Sequence, residues 1–181
     1  MISKAARRYA SAYLQTVLEL DKLEDAKKDM ELIHSVIANS RDLQLFLKSP
    51  IVRSDKKMSA LTEIFKSQVG DEAMHLITLL VKKKREALLQ AISKGVLNLY
   101  NIEKNIIEVD VKTAYNLTKN QEKTLLQSLE KRTGKNVKMD LRVDESILGG
   151  VVIKIDDTVI DDSVKHKISQ LKNQFAANAV S

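Results

Sequence analysis

Apolar residues in the first part of the chain follow the spacing of amphipathic helices. Up to about Lys104 they recur every three or four residues, so that each run places them on one face of a helix. Pro50 and Gly70 interrupt this pattern, and short polar segments separate the other runs. We therefore predict six helices with short connections, an arrangement that packs as a bundle.

The predicted helices differ in length and in how they begin. The first runs from about Ser3 to Leu20 and the fifth from Asp71 to about Lys83. We expect Ser54 to cap the fourth helix, because a serine side chain accepts a hydrogen bond from a free N–H at a helix start. On the fourth helix we predict that Met58, Leu61, Ile64 and Phe65 face inward. The apolar residues that the second, third and sixth helices carry are Leu23, Ala26, Met30, Ile33 and Ile37; Leu43, Leu45, Phe46 and Leu47; and Leu88, Leu89, Ile92, Val96, Leu99 and Tyr100.

The period changes after Asn105. Ile107, Val109 and Val111 alternate with charged residues, which predicts a strand with one solvated face. The same alternation predicts a strand at 137–143, and apolar runs at 151–155 and 159–160 predict two more on either side of a turn. The fold class is therefore mainly α, with a six-helix N-terminal bundle over residues 1–104 and a small α+β domain over residues 105–181.

Two helices are predicted within this second domain. Thr118 and Gln121 form a capping box, and Gly134 lies just past the end of the helix that they begin. Ser163 or Asp162 caps a final helix. One face of that helix carries Val164, Ile168, Leu171 and Phe175.

Two helices of the bundle carry more apolar surface than one buried face needs. On the first, Tyr9 and Ala12 lie beside the core stripe and widen it to well over half of the circumference. On the fifth, Leu79 projects toward the side that carries His75. Such a surplus indicates a groove for a partner helix, but central helices covered by their neighbours would show the same pattern.

Composition and charge narrow the classes of protein. The chain has one proline, five glycines and no cysteine, which favours helix and excludes disulfides and thiolate metal sites. Its longest strongly apolar stretch, around Leu76 to Val81, is too short to span a membrane. The formal charge is +6, and 18 basic against 13 acidic residues fall within 1–104. This distribution indicates acidic partners or an anionic surface near the first domain.

Candidate chemistry is sparse. His34, His75 and His166 are isolated in sequence, and Gly149-Gly150 lacks the context of a phosphate-binding loop, so that a strand bend or a close backbone approach accounts for it. The aspartates at 156–157 and 161–162 fit a hairpin turn and a helix start better than a cation site. A hydrolase that uses these aspartates and a nucleic-acid adaptor that uses the basic run at 82–85 remain as alternatives.

Near its start the chain has the sequence Ala-Arg-Arg-Tyr-Ala-Ser-Ala, at 6–12. This segment resembles the opening of the ATP synthase delta subunit family, whose mitochondrial counterpart is the oligomycin-sensitivity-conferring protein. The stretch from Ser49-Pro50-Ile51 to Phe65 resembles its fourth helix, and 85–111 resembles its domain junction. The most specific likeness runs from Asp144 to Lys172. The resemblance covers essentially the whole chain.

The resemblance implies a non-catalytic stator subunit that links the catalytic head to the peripheral stalk. The first domain would receive the N-terminal helix of an alpha subunit in a groove between its first and fifth helices, lined by Tyr9, Ala12, His75 and Leu79. The second domain would bind the C-terminus of the b-subunit stalk through the helix that carries Val164, Ile168, Leu171 and Phe175. No catalytic residue, cofactor, metal or nucleic acid is implied.

The same resemblance implies a place in the cell. The protein would be a monomer within its complex, at the cytoplasmic face of the bacterial inner membrane. Its membrane association would be peripheral and indirect, through its partners.

Overall fold

The computed structural model describes residues 3–155 and 157–178, with side chains as far as residue 172. The fold is mainly helical, as predicted, and contains one small mixed sheet. The chain divides into two compact units, residues 1–103 and residues 104–181, each with its own core. Within the described residues, no helix combines the length and the apolar character that crossing a bilayer demands.

The first unit is helical throughout. Its helices are α1 (Lys4–Glu19), α2 (Leu23–Asn39), α3 (Arg41–Lys48), α4 (Ser54–Phe65), α5 (Asp71–Lys82) and α6 (Leu89–Glu103). A short 3-10 turn, Glu86–Leu88, precedes α6 and contains Leu88, which we had predicted within the sixth helix.

The helix starts of this unit are only partly those predicted. Ser3 caps α1 by accepting a hydrogen bond from the Ala6 N–H at 3.2 Å, and Ser40 caps α3 in the same way. The expected cap by Ser54 is wrong: Ser54 is the first residue of α4, and Arg53 occupies the cap position without a side-chain bond. The chain after Pro50 therefore enters α4 one residue earlier than the serine signal indicated.

The core of the first unit lies where α1 and α2 pack against α6 and where α4 packs against α5. Burying a large apolar side chain contributes roughly 1.5–3 kcal/mol, so these contacts supply most of the stability of the unit. The largest fully buried side chains of this core are Phe65, Met30, Ile33, Ile37, Leu61, Ile77, Leu80, Leu89, Ile92, Val17 and Val96.

The second unit is a four-stranded sheet with two helices. Its elements are β1 (Ile106–Thr113), α7 (Lys119–Thr133), β2 (Asn136–Val143), β3 (Val151–Ile155), β4 (Thr158–Asp161) and α8 (Val164–Asn178). The order of the strands is β2-β1-β3-β4. β1 and β2 are parallel because α7 connects them as a crossover, whereas β3 and β4 pair antiparallel as a hairpin. The predicted capping box of Thr118 and Gln121 and the left-handed Gly134 after α7 are confirmed.

One face of this sheet is packed and the other is charged. Val109, Val111 and Ile153 form a core with Leu129 of α7. On the opposite face, Lys138 Nζ lies 3.2 Å from Glu108 Oε1, as part of a set of exposed charges. The alternation in the sequence therefore predicted the buried face of the sheet correctly.

Gly150 allows two backbone segments to approach each other. It has a φ of 77°, and a Cβ at this position would overlap with the carbonyl oxygen of Asp162. The Asp162 N–H donates to the Val151 carbonyl at 3.0 Å, which holds the segment before α8 against the start of β3. The prediction that glycine here serves a close backbone approach is confirmed.

Candidate functional site

The exposed flank of α1 carries two of the predicted groove residues. Tyr9 is half-buried and packs against the core, and Ala12 is exposed. The Thr16 hydroxyl donates to the Ala12 carbonyl at 3.0 Å, so that the polar group of this flank is satisfied within the helix. This flank thus presents a small residue, Ala12, and an aromatic ring, Tyr9, and both side chains are uncharged.

The exposed flank of α5 carries the other two. His75 and Leu79 are four residues apart and therefore lie on the same side of the helix. Both are exposed, and 43% of Leu79 is accessible. Leu76, between them in sequence, is buried in the core. Leu79 is thus an apolar side chain that the free chain leaves half in water.

Charged and polar contacts join the start of α5 to the connection between α1 and α2 and to α2 itself. Lys22 Nζ, just after α1, lies 2.8 Å from Glu72 Oε1. Asp29 accepts a hydrogen bond from the Gly70 N–H at 3.0 Å, which ties α2 to the same point. Burial raises the pKa of Tyr13, whose hydroxyl has no hydrogen-bond partner among the described residues. These contacts attach the start of α5 to α2 and to the residue that precedes α2.

The pKa values of the same carboxyls reflect that arrangement. The hydrogen bond from Lys22 lowers the pKa of Glu72 below its usual value, whereas burial raises the pKa of Asp29.

A cavity of about 430 Å³ lies between these groups, lined by Tyr13 and Val17 among others. The four predicted residues therefore lie on exposed flanks of two helices that share one core, and their assembly into a single groove stays a prediction.

A larger concavity lies elsewhere on the unit. A cavity of about 940 Å³ runs between α1 and α6, with Arg7, Lys94, Leu99 and Ile102 among the residues that line it. None of the four predicted groove residues lines it. Sequence reasoning did not indicate this cavity, because Leu99 was assigned to the core.

The predicted stalk-binding residues lie on α8. Ser163 caps this helix by accepting a hydrogen bond from the His166 N–H at 3.1 Å, which resolves the choice between Ser163 and Asp162. Val164, Ile168 and Leu171 are 41%, 41% and 52% exposed. Phe175 lies outside the residues whose side chains the structure describes. Three of the four residues thus form a half-exposed apolar stripe.

The candidate chemical groups have structural partners. His34 Nδ1 lies 3.5 Å from the Ser93 hydroxyl, and Asp161 Oδ1 accepts a hydrogen bond from the Ser163 N–H. A hydrogen bond from the Ser163 side chain, together with this backbone bond, lowers the pKa of Asp161. Asp156 lies outside the described residues. In the part of the chain that the structure describes, no three histidine or acidic side chains converge as a metal site would require.

One charged pair escaped the sequence analysis. Lys57 Nζ lies 2.6 Å from Glu86 Oε1 and donates to the Leu47 carbonyl at 2.9 Å, and both charged residues are buried. The signal was available: Lys57 precedes Leu61 and Phe65 at intervals of four, which places it on the buried face of α4. We had assigned that place to Met58, which is only half-buried.

Comparison with known proteins gives matches over nearly the whole chain. The family model described as ATP synthase delta (OSCP) subunit matches residues 5–175. The chain is 40% identical over 173 residues to ATP synthase subunit delta of Chlorobaculum tepidum, with 96% of each chain covered. It is 34% identical over 179 residues to the protein of the same name from Chloroherpeton thalassium, with 99% of this chain and 98% of the relative covered.

A solved structure has a similar fold. One chain of the cryo-EM structure of the Toxoplasma gondii mitochondrial ATP synthase hexamer aligns with a TM-score of 0.72. The alignment covers 96% of this chain and 98% of that one, at 20% sequence identity. At this identity the likeness concerns the fold alone.

Proposed function

Because this chain belongs to the ATP synthase delta (OSCP) subunit family, we propose that it links the catalytic alpha/beta head of an ATP synthase to the peripheral stalk formed by b subunits. It is a structural subunit of that complex and not an enzyme. The observation that carries the proposal is the exposure of Leu79 on the same side of α5 as His75, which offers an apolar side chain to a partner helix.

In this proposal the two units bind different partners. Residues 1–104 act as a six-helix bundle that binds the N-terminal helix of an alpha subunit between α1 and α5. Tyr9 and Leu79 supply apolar area, and Ala12 allows close approach of the incoming helix. Residues 105–181 bind the C-terminus of the b-subunit stalk through the apolar stripe of α8.

The proposed role requires slow dissociation from both partners and no catalytic group. A rotor that turns inside the head exerts torque on it, and a link to the stalk prevents the head from following. Such a link depends on slow dissociation, which buried apolar anchors provide better than exposed ion pairs. The protein is a monomer within the complex, held peripherally at the cytoplasmic face of the bacterial inner membrane through its partners.

Calorimetric titration tests the first contact. We expect the full chain to bind a peptide with the N-terminal sequence of the cognate alpha subunit at one to one, with a negative heat-capacity change from apolar burial. Affinity is expected to change little between low and high salt, because apolar contacts are not screened. A folded chain that does not bind, or that binds only at low salt, would contradict the proposal.

A second titration tests the stalk contact. We expect Ile168→Asp to weaken binding of a peptide from the C-terminal end of the b stalk at least tenfold, because a carboxylate would be buried in the interface without a partner. Tyr115→Asp is the matched control, since Tyr115 is 60% exposed in the same unit but does not lie on α8. Unchanged binding by Ile168→Asp would remove α8 from the interface, and equal weakening by both variants would show that the effect is not specific to α8.

A further inference from the structure

A basic surface with an apolar loop lies at one end of the first unit, and the proposed function does not use it. We call it the basic loop surface: Lys48, Arg53 and Lys84, with the loop Pro50–Val52 between the first two. These residues line one cavity of about 800 Å³. Lys83 and Arg85 flank Lys84 in the chain and are exposed.

Two connections between helices form this surface, the one from α3 to α4 and the one from α5 to the 3-10 turn before α6. The chain reverses direction at each of them. α3 ends at Lys48, and Pro50 prevents the helix from continuing. α5 ends at Lys82, and Lys84 then takes a φ of 55°, which turns the chain toward the 3-10 turn before α6. A lysine in the left-handed region is uncommon, because this backbone conformation favours glycine or asparagine. The basic side chain of Lys84 therefore occupies an unusual position for its residue type.

The floor of the cavity is fixed by the buried pair described above. Lys57 holds the end of α3 through the Leu47 carbonyl at 2.9 Å and the 3-10 turn through Glu86 at 2.6 Å. The two reversals are therefore connected through one buried ammonium. The surface is pre-formed, so that binding to it orders little additional backbone.

The charges of the cavity do not cancel. Lys57 neutralises Glu86 beneath the surface, and Arg53 lies 3.2 Å from Asp55. Lys48 and Lys84 form no ion pair with any residue that the structure describes, and neither do Lys83 and Arg85. An excess of positive charge therefore surrounds the opening.

Ile51 adds an apolar element to this positive surface. It is 90% exposed, the most exposed of the large apolar side chains in the described part of the chain. Pro50 and a half-buried Val52 flank it, so that the loop offers contiguous apolar area beside the cavity. Nucleic-acid backbones would gain nothing from this apolar area, and no aromatic ring lines the cavity for a base to stack on.

We propose that the basic loop surface binds an acidic segment of a partner polypeptide. An apolar side chain of that segment enters the cavity beside Ile51, and its carboxylates face Lys48 and Lys84. The proposal rests on charge complementarity and on the pre-formed concavity, and it is independent of the α1–α5 groove. Leu79 does not line this cavity, so the two contacts can be tested separately.

The test is fluorescence anisotropy with the full chain and a labelled synthetic peptide of Glu, Leu and Ala. We expect binding that weakens about tenfold in Lys48→Gln/Lys84→Gln, because two attractions to the carboxylates of the peptide are lost. Ile51→Ser is expected to weaken it several-fold, and the same peptide with Gln in place of Glu should not bind. Leu79→Asp should bind like the unchanged chain.

The matched control is Lys119→Gln/Lys123→Gln, which removes the same charge from exposed positions on α7. Equal weakening in this control would reduce the effect to net charge and overturn the proposal. So would tighter, loop-dependent binding of a single-stranded oligonucleotide or of phosphatidylserine vesicles, since these would identify a different class of partner. Variants that retain a cooperative thermal transition make a loss of binding interpretable.

Discussion

Leu79→Asp is expected to abolish capture of the N-terminal helix of the alpha subunit while leaving the chain folded. Leu79 is 43% exposed in the free chain, so a carboxylate at this position can reach water. Loss of the partly buried apolar area and a negative charge in the last turn of α5 are expected to lower the free energy of unfolding by about 1–2 kcal/mol, which leaves the chain folded. In the complex the same carboxylate would be covered by an apolar helix face without a partner. The cost is roughly 3 kcal/mol or more, which corresponds to at least a hundredfold loss of affinity.

Calorimetric titration with the alpha peptide measures this effect, and circular dichroism verifies the fold. The control is Leu45→Asp, because Leu45 is 57% exposed on α3, a helix that the proposed groove does not include. We expect the control variant to bind normally. If Leu79→Asp binds normally as well, α5 does not form a wall of the groove. If both variants lose binding, the effect is not specific to the proposed site.

The elements of the fold were largely predictable because their signals are local. Helical spacing and alternation identified the helices and the strands, and the capping box at Thr118 and Gln121 gave the start of α7 without ambiguity. Ser54 failed as a cap because Arg53 already has the extended backbone of a cap residue, with a ψ of 148°. A serine near a helix start thus shows that a helix begins but does not fix the residue.

The binding surfaces were harder to predict, because they depend on which helix covers which. The surplus apolar surface of α5 could be derived from spacing, yet only the structure shows that Leu79 stays exposed while Leu76 is buried. The cavity between α1 and α6 requires the crossing of two helices distant in sequence. The buried position of Lys57 was visible in the spacing, but its partner Glu86 lies 29 residues away. Pairings of this kind are tertiary information.

Breaking the buried pair is expected to produce the largest loss of stability. Lys57 and Glu86 retain only 4% and 9% of their side-chain exposure, and Glu86 Oε2 has no hydrogen-bond partner among the described residues. Lys57→Met would leave a buried carboxylate with neither charge compensation nor a donor. We expect the free energy of unfolding of the first unit to fall by about 3–5 kcal/mol.

The double variant distinguishes the cost of an uncompensated buried charge from the cost of altered side-chain packing. Lys57→Met/Glu86→Leu removes both charges and leaves only the Leu47 carbonyl without its donor, at a cost of about 1 kcal/mol. It should therefore recover most of the stability that either single change loses, as replacement of buried ion pairs by apolar residues often does. The positive coupling in this double-mutant cycle is the expected signature.

Urea denaturation gives these free energies, and the transition can be assigned to the first unit through tyrosine. Three of the four tyrosines lie in this unit, at positions 9, 13 and 100, so the near-ultraviolet circular dichroism reports mainly on its packing. Lys28→Met is the control, because the Lys28–Asp25 pair is exposed on α2 of the same unit and should contribute less than about 1 kcal/mol. Single variants at the buried pair that lose no more than this control would show that the pair does not hold α3, α4 and the turn before α6 together.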